Sequence, residues 1–149
     1  MVKVFEQIVC SKLEDAIGHK ICSAQHVFRT ERYTATNLVS LVEYVLNAIP
    51  GSGQVDANFV DLAKAFDRVD HGILLDKLKA FGVCGKLLQW LASYLTGRSQ
   101  CVRLGGSCSK TFDVSSGVPQ GSHLGPLLFC IFINDLGGRV HGLLVPHVC

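Results

Sequence analysis

The 149-residue chain has no Cys-x-x-Cys pair and no His/Cys spacing suited to tetrahedral zinc, which removes the common structural-zinc modules. It has no long apolar run either. The longest, residues 124 to 133, is about half of what a bilayer requires, so no transmembrane span is expected. No secretory leader is expected, and the cysteine count is odd at seven (Cys10, Cys22, Cys84, Cys101, Cys108, Cys130 and Cys149). Both point to reduced thiols in an intracellular protein. Net charge is small, +2, and by itself implies no nucleic-acid partner. The acids are unevenly spread, however: none occurs between residues 77 and 112, where Lys77, Lys79, Lys86, Arg98, Arg103 and Lys110 fall. Such a stretch suits either a phosphate backbone or a solvated basic face. No two aspartates are adjacent anywhere in the chain.

What is present is apolar. A hydrophobic content of 48% and a mean hydropathy of +0.33 argue against disorder. At this length one domain is expected, burying roughly 70% of the unfolded surface. Phe5, Ile8, Val9, Leu13 and Ile17 predict an amphipathic helix over residues 2–19. Leu38, Leu41, Val42, Val45, Leu46 and Ile49 predict a second, capped by a threonine and stopped by Pro50-Gly51. Residues 55–62 alternate and then become fully apolar, which predicts a strand entering the core. Asp70 is placed to cap a helix running to Phe81 and closed by Gly82, and a further helix from Lys86 to Leu95 ends at Gly97. Residues 98–104 and 108–114, joined through Gly105-Gly106, predict a β-hairpin. A last helix over 122–136 would bury Leu127, Leu128, Ile131 and Phe132, with Pro126 tolerated in its first turn. The order is mixed α/β (α+β), without the strict alternation of a doubly wound sheet.

Two segments carry candidate chemistry. In the first, Asp61 shares a strand face with Phe59, and a carboxylate there needs a metal, a cation or hydrogen bonds to offset its desolvation. The bland reading is an exposed aspartate at the strand's exit, which the poor turn sequence Ala63-Lys64-Ala65 weakens. Asp67 and Asp70 follow at a spacing that fits a connection and a helix cap better than a metal cluster. In the second, Ser116-Gly117-Val118-Pro119-Gln120-Gly121-Ser122 precedes a helix, where glycines permit close approach of a ligand and Gln120 offers an amide. Gly/Pro-rich turns before helices are common, so this segment alone is weak. His71 and His123 have local structural readings, and no Ser/His/Asp arrangement is supported.

Taken together and in this order, the segments resemble motifs A and B of the reverse transcriptases of non-LTR (LINE-type) retrotransposons. Val60-Asp61-Leu62-Ala63-Lys64-Ala65-Phe66-Asp67-Arg68-Val69-Asp70-His71-Gly72-Ile73-Leu74 is similar to motif A and its following helix. Residues 116–129, S-G-V-P-Q-G-S-H-L-G-P-L-L-F, are similar to motif B, and the likeness runs over residues 2–136. The resemblance implies part of the fingers and a partial reverse-transcriptase palm with an incomplete palm sheet over 1–136, then a divergent tail over 137–149. It also implies site roles. Asp61 and the carbonyl of Leu62 would bind Mg²⁺, Phe66 would lie beneath the incoming sugar and exclude a 2′-hydroxyl, and Gln120 and Gly121 would line the nucleotide pocket. Arg29 would lie near the triphosphate, although Val27, Glu31 and Tyr33 depart from the usual surroundings.

The implied parent activity is RNA-directed DNA polymerisation with deoxynucleoside triphosphates on an RNA template and DNA primer. That in-line transfer uses two Mg²⁺ ions about 4 Å apart. The family clamps them with an F/Y-A-D-D turn, expected shortly after Leu136, where residues 137–149 contain no acid. The expectation is therefore a fragment truncated before the Asp-Asp motif and inactive alone, with self-association through an exposed sheet edge beside Asp61. A non-catalytic nucleic-acid-binding or scaffolding protein, or a relic whose frame breaks after Leu136, are the competing readings.

Overall fold

The computed structural model describes residues 2–22, 25, 33–51, 54–59 and 61–136. Among these residues five helices dominate, and the expected boundaries hold to within a few residues. The first, α1 (Val2–Ile17), turns Leu13 and Ile17 inward at i, i+4 spacing and leaves Phe5 and Ile8 exposed. Helix α2 (Thr34–Ala48) ends in a 3-10 turn at Ile49–Gly51. Its start is set by Thr36, whose hydroxyl accepts from the Tyr33 N–H at 3.2 Å.

Helix α3 (His71–Ala80) shows how local chemistry sets both ends. The Asp70 carboxylate accepts from the Ile73 N–H at 2.9 Å. At the other end Gly82 sits at φ +95°, its N–H bonded to the Lys79 carbonyl, while the Val83 N–H reaches the Leu78 carbonyl. This is the paired closure that a left-handed glycine permits, with buried Leu78 and Val83 packed beneath it. Helix α4 (Gly85–Leu95) buries Leu91 and Leu95, and Gly97 at φ +68° redirects the chain.

Helix α5 (Leu124–Phe132) is the centre of the core. Seven of its residues, Leu124, Gly125, Leu127, Leu128, Phe129, Cys130 and Ile131, are buried, so it is apolar all round. Helices α1 and α3 pack against it, and α4 packs on α3. Pro126 is its third residue, where the missing N–H would have had no intrahelical partner. Side chains fasten the periphery to it: Gln25 Nε2 donates to the Cys130 carbonyl at 3.3 Å, and Asn134 Oδ1 accepts from the Cys22 N–H at 2.7 Å.

The predicted hairpin forms in two antiparallel parts. Strand β1 (Arg98–Gln100) pairs with β4 (Phe112–Val114), and β2 (Arg103–Leu104) pairs with β3 (Ser107–Cys108). Gln100 faces Phe112 but Arg103 faces Cys108, so the returning strand holds one extra residue between the parts. Ser109 absorbs it: its N–H donates to the Val102 carbonyl and its hydroxyl accepts from the Val102 N–H, both at 2.9 Å.

One expectation needs correction. No strand forms over the described part of residues 55–62. Phe59 is 75% exposed and Leu62 46%, so nothing buries the apolar face that alternation promised. A strand is stable only when a neighbour pairs with it, and the described ladders lie elsewhere, in the hairpin and in an isolated bridge between Asp70 and Ser116. The exposed sheet edge expected beside Asp61 is accordingly not formed there. Helix α2 forms as predicted, with Leu38, Val39, Val42 and Leu46 exposed.

Candidate active site

Asp61 is exposed and makes no hydrogen bond or ion pair among the described residues. Its expected place in an apolar strand is therefore corrected, and with it the argument from desolvation. The chain turns two residues later, at 63–65, although Ala63-Lys64-Ala65 reads as a poor turn. Lys64 adopts φ +54°, and its carbonyl accepts from the Asp67 and Arg68 N–H groups at 3.0 and 3.1 Å. A left-handed conformation in a non-glycine residue costs on the order of 1 kcal/mol, so contacts further on must hold the turn.

Those contacts come from motif B. The turn leads into a 3-10 turn, Phe66–Arg68, and Gly117 lies directly against it. The Gly117 N–H donates to the Val69 carbonyl at 2.8 Å, the Val118 N–H to the Phe66 carbonyl at 3.0 Å, and the Ser116 hydroxyl to the Asp67 carbonyl at 2.8 Å. Glycine is required here. Its φ is +88°, and a Cβ would stand 2.9 Å from both the Asp67 Cα and carbonyl oxygen and 3.0 Å from the Phe66 carbonyl oxygen. These are backbone atoms that cannot swing aside.

The Gly117 carbonyl is held from two sides. His71 Nε2 lies 2.8 Å from it and Arg98 Nη2 donates at 2.6 Å, while Arg98 Nε donates to the Leu95 carbonyl at 2.9 Å. Because a carbonyl only accepts, the His71 proton is assigned to Nε2. His71 is buried at 7% exposure and Arg98 half-buried. Sequence reasoning gave His71 only a place beside a cap and counted Arg98 in a basic stretch. Their bonds span 46 and 19 residues, which no local pattern signals.

Side chains complete the junction. Phe66 stacks on Phe129 of α5 with centroids 4.6 Å apart and planes at 24°. Gln120 Nε2 donates to Asp67 Oδ1 at 3.2 Å. Gly121, at φ +73°, has open space where a Cβ would stand. Ser122 then starts α5: its hydroxyl donates to the Pro119 carbonyl at 2.8 Å and accepts from the Gly125 N–H at 2.9 Å. Beyond it Glu6 of α1, buried at 7% exposure, accepts from the His123 N–H at 3.2 Å, and the Cys10 Sγ donates to the His123 carbonyl at 3.3 Å. A carboxylate at this helix start is favoured by the helix dipole. Burial, then the charges of Glu14 and Glu6, push the Cys10 thiol up; burial chiefly raises Tyr94 in the same region.

Phe66, Asp67, Gln120 and Gly117 are thus brought to one place. Asp70 is engaged as a cap, as expected. Among the described residues no group of three or more His, Cys, Asp or Glu could hold a metal ion. The basic stretch is also less open than its composition implies. Lys77 is held by the Phe132 carbonyl and Asp135 and Arg98 by two carbonyls, while Lys79, paired with Asp76, and Lys86, Arg103 and Lys110 are exposed. Arg29 and residues 137–149 lie outside the described residues, and among those described no helix is long and apolar enough to cross a membrane.

Comparison with known proteins gives the same answer as the two motifs. The chain matches the model of "Reverse transcriptase (RNA-dependent DNA polymerase)" over residues 1–146. It is 34% identical over 142 residues to the probable RNA-directed DNA polymerase from transposon X-element of Drosophila melanogaster, covering 90% of this chain and 15% of that protein. It is 32% identical over 136 residues to the RNA-directed DNA polymerase from mobile element jockey of Drosophila funebris, again covering 90% of this chain and 15% of the relative. With the retrovirus-related Pol polyprotein from the type-1 retrotransposable element R2 of Popillia japonica, identity is 29% over 109 residues, 72% of this chain and 18% of that one. The chain thus spans less than a fifth of the length of these relatives. The family implies a divalent-metal-dependent polymerase with a nucleic-acid template and nucleotide substrates. The chain belongs to the reverse transcriptase (RNA-dependent DNA polymerase) family, as a domain homologous to the polymerases of non-LTR retrotransposons.

Proposed function

We propose that this chain supplies the motif A and motif B part of an RNA-directed DNA polymerase site and does not complete nucleotidyl transfer alone. The observation that carries this reading is the junction at Gly117, which packs the residues following Asp61 against the residues preceding α5. In this reading Asp61, with the Leu62 carbonyl, would hold one Mg²⁺. Phe66 stays fixed by its stack on Phe129 and faces the sugar of an incoming deoxynucleoside triphosphate. Gln120 exchanges its bond to Asp67 for the nucleotide, and Gly121 leaves room for it. An RNA template and DNA primer are the partners. When bound, Mg²⁺ supplies charge neutralisation at the phosphates; the 149 residues contain no adjacent pair of aspartates to hold a second ion.

The domain is read as residues 1–136, followed by a tail over 137–149. Self-association belongs to the same proposal, with its surface moved from the missing strand edge to the exposed apolar side chains of α2 and Phe59. Sedimentation velocity that finds a strict monomer at high concentration would remove it.

Primer extension on an oligo(dT)-primed RNA template with Mg²⁺ tests the main reading, with the native chain and Asp61→Ala side by side. The expected result is binding of primer–template by a folded chain without extension. Extension that disappears in Asp61→Ala would show that one aspartate suffices. Salt-dependent RNA binding unaffected by Asp61→Ala and by added nucleotide would favour a non-catalytic binding protein instead.

A further inference from the structure

Two of the cysteines meet. Cys101 lies between β1 and β2, Cys108 ends β3, and their Sγ atoms are 3.0 Å apart across the hairpin with both residues exposed. The other described thiols differ: Cys130 is buried, Cys10 and Cys22 are half-buried, and exposed Cys84 has no sulfur neighbour among the described residues. The extra residue of the returning strand is fixed by the two bonds between Val102 and Ser109, which holds the flanking cysteines in register. The turn beyond them is compliant. Gly105 at φ +58° and Gly106 have open space where a Cβ would stand, and the sulfurs need close only from 3.0 Å to the disulfide length of about 2.05 Å.

We propose that Cys101 and Cys108 form a redox-reactive dithiol that closes to an intrachain disulfide by exchange with a small disulfide such as oxidised glutathione. In the first step one cysteine thiolate attacks a glutathione sulfur, forms a mixed disulfide and expels one glutathione thiolate. In the second the neighbouring cysteine, its proton released to solvent, attacks the cysteine sulfur of the mixed disulfide and expels the second glutathione thiolate. Two protein thiols are oxidised to one disulfide, one glutathione disulfide is reduced to two thiols, and the released protons end on those thiols. Contact between the sulfurs makes the second step intramolecular, so the mixed disulfide is short-lived here and persists at Cys84. The hydrogen bond between the sulfurs, with a smaller part from desolvation, holds the Cys101 thiol above its ordinary value. Closure fixes the outer end of the hairpin and leaves its base, where Arg98 holds Gly117, unchanged.

The test uses the folded, reduced full chain in mixtures of reduced and oxidised glutathione, quenched with N-ethylmaleimide and digested with trypsin without reductant. Arg98, Arg103 and Lys110 separate the two cysteines into peptides 99–103 and 104–110. The expected product is these two peptides joined, lighter by two hydrogens than their reduced sum, and restored to separate peptides by dithiothreitol. Cys101→Ser and Cys108→Ser each abolish the joined pair and leave the remaining cysteine carrying glutathione as Cys84 does. Glutathione on Cys101 and Cys108 separately in the native chain, with no joined pair, would overturn the proposal. So would equally fast joining in urea, because proximity in sequence rather than the folded hairpin would then bring the thiols together.

Discussion

Helices α2 and α5 are both apolar and both legible from periodicity, yet they meet opposite fates. In α5 Leu124, Leu128 and Ile131 are fully buried, between α1 and α3. In α2 Leu38, Val42 and Leu46 stand 54, 55 and 61% exposed. Helical spacing therefore reports which residues share a face, and not whether anything covers it. The covered helix carries the junction with motif A through Phe129, so the same packing that stabilises the domain also positions the candidate site.

The largest test of this contrast is a pair of truncations. Leu128→Ala is expected to cost about 2–5 kcal/mol through lost burial and a cavity, whereas Val42→Ala on exposed α2 stays within about 0.5 kcal/mol. Urea unfolding of both variants at a concentration where the chain is monomeric measures it, and comparable losses there would mean that α2 is covered within the single chain. Gly117→Ala comes next. A positive φ and contact with the backbone of Phe66 and Asp67 make it destabilising by more than about 1 kcal/mol, and primer–template binding should weaken with it. An alanine variant as stable as the native chain would mean that the two motifs are not in contact there.

How much of this could be read beforehand follows from the range of each interaction. Asp70, Gly82 and Gly97 act within a few residues, so both ends of α3 and the end of α4 were legible. The hairpin was legible from Gly105-Gly106, but its extra residue at Ser109 was not, because a side chain replaces a main-chain partner only once the strands have met. The strand over 55–62 misled for a related reason: alternation gives a face, and pairing requires a distant neighbour. Within the site, the segment that follows Asp61 and the segment around Gln120 do meet, but Asp61 is exposed rather than enclosed. His71, Arg98 and Phe129 entered only through contacts made across the fold. The turn at Lys64 had no sequence signal at all, since lysine is not a residue that favours φ +54°.

A smaller change follows from that turn. Lys64→Gly relieves the left-handed strain and should stabilise the chain by about 0.5–1 kcal/mol, read as a higher urea midpoint. No gain would mean that Lys64 does not hold this conformation in solution. The smallest effect is alkaline. Cys10 and Tyr94 are raised above their ordinary values of 9.0 and 10.0, so folding favours their protonated forms. That contribution is complete below pH 9 and is lost as pH climbs through the raised values. Melting temperature under reducing conditions should fall above pH 9, less steeply in Cys10→Ser; identical slopes would remove Cys10 from the account.

Amide hydrogen exchange tests the central claim most directly, because the junction predicts which backbone groups are protected together. The Gly117 and Val118 N–H groups, bonded to the Val69 and Phe66 carbonyls, should exchange as slowly as the amides of α5, while those of α2 exchange far faster. Fast exchange at Gly117 and Val118 within an otherwise protected core would show that motifs A and B are not joined, and the proposed site would lose its foundation.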